Sequence, residues 1–180
     1  QLICSLFFMT LAASSNNVVI AEQDSNESKL LKQSGVRGGF IVKLGITDSK
    51  SLRDLQPSQS YQVQALDEDA KIVEAARKKI VTEGGYGELS VDQQIGDSLP
   101  YVDNLVNLLI AEKPGRVTYE EITRVLVPEG VAFVQRSNGS WNKIVKPRPS
   151  DIDEWSHYFH DATGNAVAKD QQGGPPSHLP

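Results

Sequence analysis

Apolar and polar positions recur along this chain with two different periods, and the switches between them divide it into strands and helices. Gly39-Phe40-Ile41-Val42-Lys43-Leu44 is a short, β-branched apolar run bounded by glycine, which predicts a strand buried on both faces. Tyr61 to Leu66 alternates with period two and ends at Asp67, giving a second strand. From Glu68 to Glu83 the period changes: Ile72, Ala75, Ala76, Ile80 and Val81 recur at helical spacing, Lys71, Glu74, Arg77 and Lys78 fill the other face, and Gly84-Gly85 stops the helix. Leu89 to Ile95 and the run Leu105 to Ala111, apolar on both faces apart from Asn107, predict a third and a fourth strand. Thr118 to Leu126 reads as a helix with a capping box, Thr118 with Glu121 three residues on. A turn at Pro128-Glu129-Gly130 then leads into a fifth strand, Val131 to Gln135. Shorter signals flank these elements: a helix over Glu27 to Gln33 ended by Ser34-Gly35, and a helical turn over Ser49 to Leu55 closed by Pro57. Asn138-Gly139 marks a hairpin that introduces an antiparallel edge strand, Trp141 to Val145. Strand and helix alternate with short connections, so the expected fold is α/β: a Rossmann-like, doubly wound parallel sheet in the order 3-2-1-4-5, with the hairpin at one edge.

Composition narrows the classes. With 180 residues, 39% of them hydrophobic and 23% charged, the chain has the make-up of one globular domain plus tails. A formal charge of −5 argues against a nucleic-acid partner, whose phosphates require clustered Lys and Arg, and the one basic cluster, Lys143 to Arg148, is short. A single cysteine, Cys4, allows neither an internal disulfide nor a thiolate zinc site. The apolar stretch Leu2 to Ala13 has the length of a signal-peptide core and not of a membrane span, and Val19-Ile20-Ala21 offers a cleavage site. Residues 1–21 are therefore expected to be a truncated signal peptide of a secreted or periplasmic protein; the alternative is a frayed apolar terminus on a cytoplasmic one. Residues 22–38 follow as linker and short helix, 39–147 as the α/β domain, and 148–180 as a joining segment that ends in the linker-like Gly173-Gly174-Pro175-Pro176.

In a doubly wound fold the ligand lies outside the carboxyl ends of the strands, where the strand order reverses. Asp67, ending the second strand, can there accept hydrogen bonds from both hydroxyls of a ribose; a solvated strand-end carboxylate is the plainer alternative.

Four segments in order resemble class I S-adenosylmethionine-dependent methyltransferases: Gly39 to Gly45, Ala65 to Asp69, Gly96-Asp97-Ser98-Leu99-Pro100 with Asp103, and Glu120 to Gly130. The resemblance implies a minimal methyltransferase fold and S-adenosylmethionine as cofactor. It implies Gly45 and Thr47 in the cofactor loop, Asp67 and Glu68 at the ribose, Asp97 accepting from the adenine amino group, and Ala111 at the end of the fourth strand. The chain also departs from the pattern. Where the family uses G-x-G-x-G, this loop is Gly45-Ile46-Thr47-Asp48-Ser49, and Lys43 stands where an acidic residue is usual. A backbone that must approach a ligand or adopt φ > 0 tolerates Thr47 and Ser49 poorly, so glycine at both positions is expected to tighten cofactor binding by about tenfold.

Residues 151–176 resemble the region that, in secreted planctomycete proteins, joins a methyltransferase-like domain to a β-propeller of the pyrroloquinoline-quinone type. That implies a C-terminal propeller as intramolecular partner. Within it His157, His160 and Asp161 could face one way on a helix as metal ligands do; the plainer reading is a docking segment carrying Trp155, Tyr158 and Phe159. His157, His160 and Glu112 are the candidates for a general base, and none has a diagnostic spacing. Three functions remain open: a methyltransferase that binds its cofactor, a degenerate interaction domain that has lost it, and the N-terminal cap of a quinoprotein-like propeller.

Overall fold

A computed structural model of the chain describes residues 25–85, 87–150 and 162–164. The expected signal segment, the His157, His160 and Asp161 group, the aromatic residues beside it and the glycine-proline linker lie outside the described residues.

Six strands form one sheet: β1 (Gly39–Leu44), β2 (Tyr61–Asp67), β3 (Leu89–Gln93), β4 (Val106–Ala111), β5 (Leu126–Gln135) and β6 (Trp141–Val145). Their order is β3-β2-β1-β4-β5-β6, with the first five parallel and β6 antiparallel to β5. This is the α/β sheet predicted from the alternation of periods, edge hairpin included. The strands are apolar in both directions because both faces are covered. On one face Ile41, Val63, Ala65, Leu108 and Ile110 meet Leu30 and Leu31 of α1 (Asn26–Ser34), Leu52 of α2 (Ser49–Asp54), and Val73, Ala76 and Ile80 of α3 (Ala70–Thr82). On the other, Val42, Leu44, Leu109, Ala111 and Ala132 are covered by Ile122 and Val125 of α4 (Tyr119–Val125) and by Leu99 from the β3–β4 connection. Three helices thus serve one face, while one short helix and a loop serve the other.

Three details differ from the pattern reading. The helix α3 starts at Ala70, because Asp69 caps it by accepting from the Lys71 amide, and it rotates Ala75 and Val81 outward so that Val73, Ala76 and Ile80 carry the burial. Strand β3 ends at Gln93, and Ile95 stands 81% exposed in the turn beyond it. The segment Pro128-Glu129-Gly130 does not precede β5 but interrupts it. Pairing jumps from Val106↔Leu126 to Leu108↔Val131, so residues 127–130 form a bulge, with Glu129 at φ 65°. Gly130 is needed in that bulge, since a Cβ there would lie 2.7 Å from the Val127 carbonyl oxygen.

Candidate functional site

Strands β1 and β4 lie side by side, and the chain leaves them toward helices on opposite faces of the sheet, which opens a crevice at their carboxyl ends. The Leu44 carbonyl closes its base by accepting from the amides of Glu112 (3.0 Å) and Lys113 (3.1 Å). Gly45 turns away at φ 90°, and a Cβ on it would lie 2.9 Å from the Lys113 Cβ, so glycine is what lets the two loops touch. The resulting cleft is shallow and open to solvent, with about 90 Å³ of space accessible to a water-sized molecule. Leu44, Leu66, Pro114 and Val117 give it apolar walls; its polar groups are Asp67, Glu68, Gln94 and Lys113.

Asp67 is only 9% exposed. Its Oδ2 accepts from the Ile46 amide and its Oδ1 from the Asp69 amide, each at 2.9 Å, so the carboxylate ties the loop after β1 to the turn after β2. Glu68 lies over Gly115, where a Cβ would come 2.6 Å from its Oε1. Gln94 is 7% exposed, and its amide nitrogen donates to the Ser98 carbonyl (2.8 Å) and, more weakly, toward the Gly96 carbonyl (3.5 Å). Two carbonyls on one side fix the orientation of that amide, since flipping it would set oxygen against oxygen. Its Oε1 is therefore the atom left buried without a partner, on a residue that lines the cleft. An orphan acceptor of this kind favours a ligand that brings a donor.

The sequence-predicted residues divide accordingly. Gly45, Asp67 and Glu68 come together in the cleft. Asp97 is exposed on the turn beyond β3, and Ala111 is fully buried in the sheet; neither lines the cleft. Thr47 also stands outside the lining, exposed, with its hydroxyl donating to Glu112 Oε2 at 2.7 Å. Gln94, Lys113, Pro114 and Gly115 were missed. The last three had a signal, a Pro-Gly turn directly after the strand that neighbours β1, whereas a glutamine past a strand end has none.

The expected backbone strain in the cofactor loop is absent. Of residues 45–49 only Gly45 has positive φ; Asp48 is extended at φ −156° and caps α2 by accepting from the Ser51 amide at 2.7 Å. Thr47 therefore occupies ordinary backbone, and conformational freedom gives no reason to prefer glycine there. Lys43 is buried beside that loop: its side chain is 1% exposed, and its ammonium lies 2.6 Å from Glu27 Oε1, 3.2 Å from Ser51 Oγ and 3.2 Å from Glu112 Oε2.

A second cluster joins the β3–β4 connection to α4. Arg124 donates from Nη1 to the Tyr101 carbonyl (2.9 Å) and Asp103 Oδ1 (2.6 Å), and from Nη2 and Nε to the two carboxylate oxygens of Glu121 (2.7 and 2.8 Å). Glu121 Oε1 also accepts from the Leu99 amide at 2.6 Å and from the Ser98 hydroxyl at 3.2 Å. The Arg124 hydrogen bond, more than the others, holds the Glu121 carboxyl down at about 2 against the contrary effect of burial. Glu121, followed by Asp103, in turn raises the Arg124 guanidinium above its ordinary value. Tyr101 meets Phe40 edge to face, with ring centroids 5.4 Å apart, and burial, reinforced by Asp92, lifts its phenol above the usual range.

No protein-family model and no curated protein sequence matches the chain. Solved structures do. A S-adenosyl-L-methionine-dependent methyltransferase from Methanococcus maripaludis superposes with a TM-score of 0.52 at 20% identity, over 61% of this chain and 52% of its own. The fold is the class I methyltransferase fold. A sarcosine dimethylglycine methyltransferase from Galdieria sulphuraria gives 0.53 at 20% identity, over 62% of this chain and 45% of its own. A geranyl diphosphate methyltransferase solved with S-adenosylmethionine gives 0.53 at 15% identity, over 62% of this chain and 48% of its own. The chain thus spans about half the length of these methyltransferases. Among the described residues no helix is long and apolar enough to cross a membrane, and no three His, Cys, Asp or Glu side chains converge on a metal site.

Proposed function

We propose that the domain binds the nucleoside part of S-adenosylmethionine in the cleft at the ends of β1, β2 and β4 and acts as a methyltransferase. The observation that carries this reading is Asp67, a nearly buried carboxylate in the cleft wall, beside Glu68 and the orphan oxygen of Gln94. Asp67, Glu68 and the Gln94 oxygen give that end acceptors, which suit hydroxyl and amino donors, and Lys113 adds one cation at the rim. Leu44, Leu66, Pro114 and Val117 supply the apolar surfaces that a purine ring needs. Asp67 and Glu68 would hold the ribose, Gln94 or the exposed Asp97 the base, and Lys113 the charged tail. The bound cofactor would supply an activated methyl group. Such a transfer depends on alignment more than on a protein base, so these residues need only hold the donor and shed water from the cleft.

One observation favours a second reading, a non-catalytic interaction domain. Both oxygens of Asp67 already accept from backbone amides, so the carboxylate has a structural role whether or not a ligand is present. Isothermal titration of the full chain with S-adenosylmethionine and S-adenosylhomocysteine separates the two. Saturable one-to-one binding of both, each displacing the other, is expected; no saturation at about 1 mM, a binding energy of only about 4 kcal/mol, would leave the interaction domain.

A further inference from the structure

In this chain the loop after β1 is held from the side. Thr47 Oγ1 donates to Glu112 Oε2, and the same oxygen lies 3.2 Å from the Lys43 ammonium. Lys43 spends its other donors on Glu27 of α1 and on the Ser51 hydroxyl, which itself donates to the Asp48 carbonyl at 2.8 Å. An ammonium carries three donors; Lys43 gives one to Glu27 and one to Ser51, and it faces Glu112 as an ion pair. Its partners come from α1, α2 and the end of β4, and through Glu112 they converge on the loop at Thr47. If Glu112 swings away from Thr47, the buried Lys43 ammonium loses one of its two carboxylates and keeps Glu27, an electrostatic cost moderated by the 25% exposure of Glu112.

We propose that Thr47 and Glu112 are positioning residues for the nucleoside site, with Lys43 and Glu27 as their buttress. Their contact fixes the backbone from Gly45 to Thr47, so that the Ile46 amide stays on Asp67 and Gly45 stays against Lys113. The loop reaches by side-chain anchoring the rigidity that a glycine-rich loop would reach by backbone geometry. One consequence reverses the strain argument: glycine at position 47 removes an anchor and loosens the loop. The inference rests on the nucleoside reading for its functional meaning, but its geometry can be tested without any ligand.

The test compares Thr47→Ser, Thr47→Val, Thr47→Gly and Glu112→Gln in the full chain. In the ligand-free protein, amide hydrogen exchange at Ile46 should speed up about tenfold in the Val and Gly variants and remain as in the parent in the Ser variant, with the unfolding midpoint slightly lowered in the Val and Gly variants, which lose the same native hydrogen bond, and unchanged in the Ser variant. Tenfold is what loss of a hydrogen bond to a charged group implies. In titrations with S-adenosylhomocysteine the Val, Gly and Glu112→Gln variants should bind about tenfold more weakly, and Thr47→Ser like the parent. Tighter binding by Thr47→Gly, or Ile46 exchange indifferent to the hydroxyl, overturns the proposal. A parent protein that binds no S-adenosylhomocysteine, yet shows the expected exchange pattern, overturns the nucleoside reading and leaves the anchoring intact.

Discussion

Two corners at the carboxyl end of the sheet are built on opposite plans. After β1, the loop lacks two of the expected glycines and is anchored by a buried lysine with two carboxylates, Glu27 and Glu112. After β3, the connection keeps the family-like residues and is clipped to α4 by Arg124 and Glu121 near the surface. The corner that departs from the pattern borders the cleft, whereas the corner that follows it mostly does not: Gln94 lines the cleft, and Asp97 and the clip stay outside. Resemblance in a motif therefore marks what the fold needs at least as much as what the ligand needs. In this chain Glu121 and Arg124 bind the backbone of Leu99 and Tyr101 and the side chain of Asp103, so one half of the pattern holds the other.

The sharpest way to break the comparison is to remove the buried cation. Lys43→Met leaves Glu27 and Glu112, side chains only 13% and 25% exposed, facing each other without a counter-charge. It should lower unfolding free energy in urea by about 3 kcal/mol or more. Adding Glu27→Gln should recover part of that loss. A Lys43→Met protein as stable as the parent would mean that the first corner is not held by charge at all.

Next in size comes the cleft carboxylate. Asp67→Asn keeps one acceptor for the Ile46 and Asp69 amides but sets an NH2 against the other, and should weaken S-adenosylmethionine binding by about 1.5 to 3 kcal/mol, one to two orders of magnitude. At the clip, Arg124→Ala should lower stability by about 2 kcal/mol, tempered by its 32% exposure. Arg124→Lys should recover less than half, because an ammonium cannot fork across a carboxylate. Titration should find ligand affinity in both Arg124 variants within about twofold of the parent; a larger change would make the clip part of the site and erase the contrast.

The contrast also explains what could be read from the residues alone. Strand order followed from apolar runs and right-handed crossovers, which are properties of stretches, and single errors do not disturb them. Asp67 was legible because a carboxylate closing an alternating run falls at the strand end whatever the loops do. The role of Lys43 was not legible because its sequence neighbours say only that a charge sits in an apolar strand; its partners lie 16 and 69 positions away, on α1 and beyond β4. Thr47 misled for a related reason, since the need for glycine depends on φ, and the loop reached its place without positive φ beyond Gly45. Gln94 became visible only when its amide could be seen pinned by Ser98 with the oxygen stranded.

The last expected effect is a pH dependence confined to the second corner. Glu121 titrates at about 2 in the folded protein, below its ordinary 4.5, because Arg124 and the Leu99 amide stabilise the ionised form. A group with a depressed folded value binds its proton more readily when unfolded, so its contribution is complete above about pH 4.5 and declines as pH falls toward 2. In Glu121→Gln that contribution is missing at every pH. Urea midpoints of the two proteins should therefore differ by a constant amount from pH 8 down to about 5 and converge between about 4.5 and 2. Taking the difference removes the other carboxylates, which titrate in both proteins. Hydrogen exchange should localise the same loss to residues 96–104, with the Ile46 amide unaffected, since the clip and the Thr47 anchor share no side chain. A gap that stays constant down to pH 2 would mean that Glu121 acts by its shape and neutral hydrogen bonds, and Ile46 losing protection in step with residues 96–104 would mean that the two corners are one.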